Sequence, residues 1–98
     1  MSSKKLKSKM VDELFEAILK LKKTEECYKL FEDLCTVGEI HSLAQRFTVA
    51  KMLDKGLKYE EIIAKTGAST ATISRVKRFL DYGADGYKLV LGRLNTKH

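Results

Sequence analysis

The stretch YEEIIAKTGASTATISRVKRFL, residues 59–80, decides how this chain is organised. On either side of Gly67 its apolar residues recur three and four apart, which is the helical period. The spacing predicts a helix over about residues 59–66, a break at Gly67, and a second helix capped by Ser69 or Thr70 and reaching about Leu80. Two helices joined by a three- or four-residue turn containing glycine have the form of a helix-turn-helix. Ile62 and Ile63 can supply the inner face of the first helix, and Ile73 and Val76 that of the second.

At about 100° per residue, Ile73, Val76, Phe79 and Leu80 gather on one side of the second helix, with Thr72 at the margin. Thr70, Ala71, Ser74 and Arg78 gather on the other, flanked by Arg75 and Lys77. This outer side is small near its start and basic further on. Small side chains allow close approach to base edges, and alanine or a threonine methyl can meet a thymine methyl. Basic side chains can meet phosphates or guanine edges. A solvated helix in an ordinary bundle shares the apolar spacing. The combination of Gly67, Ile73, Val76 and the graded outer face favours double-stranded DNA.

Working outward, the same helical period fills the chain, and there is no proline to interrupt it. Six helices and an all-α fold are predicted. The first, about residues 5–22, carries Leu6, Met10, Leu14, Ala17, Ile18 and Leu21 on one face. Thr24 has the character of an N-cap for the second, with Glu25 and Glu26 placed where the helix dipole favours negative charge. Cys27, Leu30, Phe31, Leu34 and Cys35 form its stripe. Thr36-Val37-Gly38-Glu39 has the capping-box pattern and opens a third helix that Gly56 ends. Residues 81–86 form a turn-rich connection to a last helix over about residues 87–95.

With 98 residues, one domain is expected, a single unit with N-terminal dimerisation helices at about 5–35. A chain this short buries a smaller fraction of its surface than a longer one, so pairing with a second copy would enlarge its core. The net charge of +6 suits a polyanionic partner. Lys4, Lys5, Lys7 and Lys9 crowd the start, either as a solvated end or as a basic arm on DNA phosphates. Cys27 and Cys35 lie eight apart, not in a Cys-x-x-Cys spacing, and are expected to be small buried hydrophobes in a reducing cell. No stretch approaches the about 20 apolar residues that span a bilayer, and no signal peptide is apparent, so a cytoplasmic protein without membrane partners is expected.

At this point the sequence resembles the Trp repressor family, and within it the YerC/YecD subgroup of Trp-repressor-related proteins. The resemblance rests on Leu43-Ala44-Gln45-Arg46, on Met52-Leu53-Asp54-Lys55-Gly56, and on residues 67–75, GASTATISR, the most specific of the three. It implies a six-helix fold in which two subunits interlock as a bacterial homodimer and present two reading helices one DNA turn apart. The matching DNA-contacting positions are Thr70, Ala71 and Ser74. Arg75, Lys77 and Arg78 are added from electrostatics, and an internal ion pair is the alternative use of Arg75.

The family also implies a tryptophan corepressor beside the reading helix. Thr36, Arg46, Thr72 and Arg75 match positions that contact it. Two departures argue against a working site. Val76 stands where the family has a glycine that leaves room for the indole, and Phe79 replaces a small polar residue. The pocket is therefore expected to be vestigial and filled by the protein's own side chains, with no cofactor. A different small-molecule effector stays open. At Lys58 the family's capping serine is missing, with Glu60 and Glu61 expected to compensate through the dipole.

An enzyme is not expected. His41 and His98 lie near no catalytic motif, and Cys27, Cys35 and His41 have no zinc-site spacing. No phosphate-binding glycine loop or nucleophile elbow is present. The function expected is a transcriptional regulator, a repressor, that reads a DNA sequence. The competing reading is a protein-interaction adaptor that kept the fold and lost DNA recognition.

Overall fold

In the computed structural model, residues 4–95 are described, and among them all regular structure is helical. The order is α1 (Lys9–Ile18), α2 (Thr24–Leu34), α3 (Val37–Asp54), α4 (Tyr59–Thr66), α5 (Thr70–Tyr82) and α6 (Gly86–Asn95). His98 lies outside the described residues. The chain falls into two compact units, residues 1–40 and 41–98.

In the N-terminal unit, α1 is shorter at both ends than its apolar period suggests. Ser8 takes the cap, its Oγ accepting from the Val11 amide at 3.1 Å, and the Lys7 ammonium pairs with Asp12 at 2.7 Å. At the other end, bonds from the amides of Lys20 to Ala17 O and Leu21 to Ile18 O tighten the last turn. Thr24 does not cap α2. The cap is Lys23 in extended conformation, and Thr24 is the first helical residue. No side chain caps α2, and Glu26 reaches back past the cap to accept from the Lys22 amide at 2.7 Å.

No residue of α1 or α2 is buried. Met10 is 80% exposed and Leu19 81%. Cys27 is exposed and Cys35 partly so, both free thiols, against the expectation that they are buried. Cys27 sits on an apolar stripe that the described residues leave exposed at this position.

The start of α3 carries the capping box. The Glu39 amide donates to Thr36 Oγ1 at 3.1 Å and the Thr36 amide to Glu39 Oε1 at 2.8 Å. Two orphan amides at the start of the helix are thereby satisfied by side chains three residues away. At the other end, Gly56 has φ +85°. The amides of Gly56 and Leu57 donate to Leu53 O at 3.0 Å and Met52 O at 3.1 Å. This is the pair of bonds that closes a helix on a left-handed residue.

The C-terminal unit holds the core. Val49 and Ala50 of α3, Ile62 of α4, Ala68 of the turn, and Ile73 and Val76 of α5 are buried together. Met52, Leu53, Leu57, Tyr59 and Tyr87 pack around them. Leu80 and Leu91 are also buried. Full burial of a side chain such as Ile62 or Ile73 contributes about 1.5–3 kcal/mol, so a few such residues supply most of what holds α4 and α5 in place. The last helix begins at Gly86, one residue early, after Asp85 at φ +67°.

Two substitutions separate packing from backbone in this unit. Ile62→Ala should cost about 2–5 kcal/mol, because it empties a fully buried site. Gly67→Ala should cost only about 1–2 kcal/mol, the left-handed penalty of an L-residue, since a Cβ there meets nothing within 4 Å. Urea unfolding midpoints of the two variants measure the difference, and a Gly67→Ala cost equal to that of Ile62→Ala would contradict it.

Candidate nucleic-acid interface

The site is built on the break between α4 and α5. Gly67 has φ +72° and its amide donates to Ile63 O at 2.8 Å. Glycine takes this conformation without steric penalty. Thr66 Oγ1 donates to Ile62 O at 2.7 Å and accepts from the Ala68 amide at 3.1 Å. Ala68 is buried. The turn therefore points its one apolar side chain inward and uses Thr66 to satisfy its own backbone.

Ser69 then caps α5. Its Oγ accepts from the Thr72 amide at 3.1 Å and donates to Thr72 Oγ1 at 3.1 Å. No acidic residue stands in the first turn of α5. The partial positive charge of that terminus is not cancelled from within the helix, and such an end favours a nearby phosphate. At α4 the missing serine at Lys58 is replaced by a direct bond as well as by charge. Glu61 Oε1 accepts from the Lys58 amide at 2.9 Å. Lysine cannot accept in return, so only this half of a capping box exists.

Along α5 the two sides separate as the wheel requires. Ile73, Val76 and Leu80 are buried. Thr70, Ala71, Ser74, Arg75, Lys77 and Arg78 are all exposed. From Ala71 to Arg78 the exposed strip extends for about 10 Å at the helical rise. Neither Arg75 nor Arg78 has an ion-pair partner among the described residues. Arg75 is thus not committed to an internal pair. Lys77 is partly committed, because its ammonium lies 3.3 Å from Asp81 Oδ2 one turn on. That pair is about half exposed, where such contacts are worth little.

The ligand-matching positions are less coherent. Thr36 belongs to the N-terminal unit, and its hydroxyl is occupied by the capping box. Arg46 and Thr72 are partly buried. Val76 is 1% exposed and belongs to the core. Phe79 differs from its expected place. It is 50% exposed and lines an open cavity of about 440 Å³ with Phe47, Ala84, Gly86, Tyr87 and Val90. At about 180° from Thr70 on the wheel it sits at the edge of the buried arc, so this chain's own packing leaves one side of the ring uncovered. Likewise Ile63 contributes less than Ile62, being partly exposed.

The sequence model of the Trp repressor protein family matches residues 9–95, nearly the whole chain. The chain belongs to the Trp repressor family. YerC of Bacillus subtilis (strain 168), an uncharacterized protein, is 59% identical over 90 residues, which cover 92% of this chain and 86% of YerC. That identity places the chain in the YerC group of the family. A crystal structure of a candidate Trp repressor from Staphylococcus aureus superposes with a TM-score of 0.92 at 55% identity, over 99% of this chain and 97% of that one. A crystal structure of a TrpR-like protein from Eubacterium eligens ATCC 27750 gives a TM-score of 0.92 at 56% identity, over 98% and 99% of the two chains. The six-helix fold is therefore that of the family throughout. No helix among the described residues is long and apolar enough to cross a membrane.

Gln45 escapes sequence patterning, and Glu61, expected to act through the dipole, makes a direct bond as well. Glu61 stands three after Lys58, a spacing that signals the cap once Lys58 is taken as the cap residue. Gln45 of α3 donates from Nε2 to Thr66 O at 3.1 Å across 21 residues, and no local pattern announces it.

The cap of α5 is testable by itself. Ser69→Ala should destabilise the protein by about 0.5–2 kcal/mol, with Ser69→Gly milder by most of that amount. Equal unfolding midpoints for wild type and Ser69→Ala would show that Ser69 does not hold the start of α5.

Proposed function

We propose that this protein is a sequence-specific regulator of transcription, a repressor, that acts on double-stranded DNA as a homodimer. The observation that carries the proposal is the division of α5. Ile73, Val76 and Leu80 are buried on one side, and Thr70, Ala71, Ser74, Arg75 and Arg78 stand exposed on the other. Membership of the Trp repressor family supports the same use of this helix. On this reading Thr70, Ala71 and Ser74 approach base edges, and Arg75 and Arg78 take phosphates or guanine edges. Lys77 contributes less, because Asp81 competes for its charge.

The homodimer is supported by what α1 and α2 leave uncovered. Two amphipathic helices without a buried residue gain little of the apolar transfer energy that folding requires. A second copy supplies the missing surface and, by two-fold symmetry, a second reading helix for the other half of an operator. A bacterial cytoplasm is the compartment this function needs.

Selection of bound sites from random duplex DNA tests the reading. The expected outcome is enrichment of a two-fold symmetric site, with affinity falling steeply as salt rises. Ser74→Glu and Arg78→Glu should each lose that binding while the protein keeps its circular dichroism and its oligomeric state. If both variants bind like wild type, another surface does the reading. Capture of a protein with no enriched DNA would favour the adaptor instead.

We further propose that the protein does not respond to tryptophan. The support is Val76, 1% exposed within the core at the position where the resemblance puts a glycine. A side chain packed to interior density leaves no slot for an indole. Calorimetric titration with tryptophan to millimolar levels should show no saturable heat, and stoichiometric binding would overturn the proposal.

A further inference from the structure

We propose that Gln45 is a positioning residue that sets the angle at which the reading helix meets DNA, an inference that rests on the DNA reading above. Thr66 ends α4, and its carbonyl is among those an α-helix leaves without an internal partner. The neighbouring groups are satisfied within the turn: the Gly67 amide by Ile63 O, the Ala68 amide by Thr66 Oγ1, and the Thr66 hydroxyl by Ile62 O. The Thr66 carbonyl instead accepts from Gln45 Nε2, a partly buried side chain on α3. This bond joins residues 21 apart. The caps and ion pairs described above join residues at most five apart.

That difference gives Gln45 its role. Bonds within the turn fix the turn's own backbone but not its orientation on α3. The apolar contacts between α3, α4 and α5 resist separation, yet apolar attraction has no preferred direction. A hydrogen bond does, and weakens steeply as its angle departs from linear. Gln45 therefore supplies a directional link from the scaffold helix to the hinge of the reading unit. Arg78 lies about 12 Å along α5 from its start at the helical rise. A rotation of about 5° at the turn displaces it by about 1 Å over that lever. Base-edge bonds are lost at such a displacement, whereas long cationic side chains follow phosphates that far. Specific binding is the property that depends most on Gln45; non-specific binding depends on it little, and stability by no more than one hydrogen bond.

The test uses the intact protein and compares an operator found by selection with a scrambled duplex at one salt concentration. Gln45→Met keeps the length and removes the donor. It should lower the ratio of specific to non-specific affinity by about tenfold, the scale of one base position. The salt slope on the scrambled duplex should stay near wild type, and the urea midpoint should fall by no more than the loss of one hydrogen bond explains. Gln45→Lys restores a donor of similar reach and should recover most of the ratio. An unchanged ratio in Gln45→Met overturns the proposal. So does a loss that follows the unfolding midpoint and that Gln45→Lys fails to restore, because that pattern marks a merely structural residue. If wild type selects no site from random DNA, the DNA reading falls first and this inference with it, a result distinct from a wild type that reads DNA and a Gln45→Met that reads it equally well.

Discussion

Everything in the C-terminal unit depends on the short turn that lets α5 lie on the same core as α4. The chain leaves α4 through Gly67 at φ +72°, buries Ala68, and restarts under the cap of Ser69. Those residues fix the direction of α5 relative to α4. Its rotation about its own axis follows from burial: once Ile73 and Val76 join Val49, Ala50 and Ile62, the opposite arc has no choice but to face outward. On the proposed reading the surface that meets DNA is a by-product of packing, since Ser74 and Arg78 are exposed and owe their place to the buried side of their helix.

The two units have different sources of order. Residues 41–98 contain a core of side chains withdrawn from water. Residues 1–40 have caps and exposed ion pairs, such as Lys7 with Asp12 and Lys9 with Glu13, and exposed pairs of that kind contribute at most about 1 kcal/mol each. Caps and pairs determine where α1 and α2 start and stop. They cannot supply the apolar burial that decides whether such helices persist, because helices of about this length are marginal on their own in water.

What was legible in the sequence was what neighbours in the chain decide. The capping box at Thr36 and Glu39 and the glycine stops at Gly56 and Gly67 each depend on residues within five positions and stand in the structure as read, and of the two caps offered for α5, Ser69 and Thr70, the structure uses Ser69. The two sides of α5 were legible because a helical wheel is also local information. Misplaced features were those in which several local candidates compete or a distant partner decides. Ser8 captures the start of α1 from earlier residues, and Lys23 rather than Thr24 stands at the α2 cap. Cys27 and Phe79 have apolar character but no neighbour within the chain to cover them fully. Gln45 reads as one more polar position on α3 until Thr66 is brought against it.

The departure at Val76 has a consequence for how a reading helix can be controlled. A regulator that leaves a gap beside this helix can have the gap filled by a ligand, and binding then shifts the helix by as much as the ligand's differential affinity for the two positions. Where a valine already lies in the core, vacating it costs its burial, about 1.5–3 kcal/mol, before any ligand gains a contact. On the proposed reading such a protein is ready to bind DNA without a corepressor, and its occupancy of an operator is set by its own concentration and by dimer formation. Any control by a small molecule would then have to act by loosening an ordered helix, a requirement opposite to that of a corepressor.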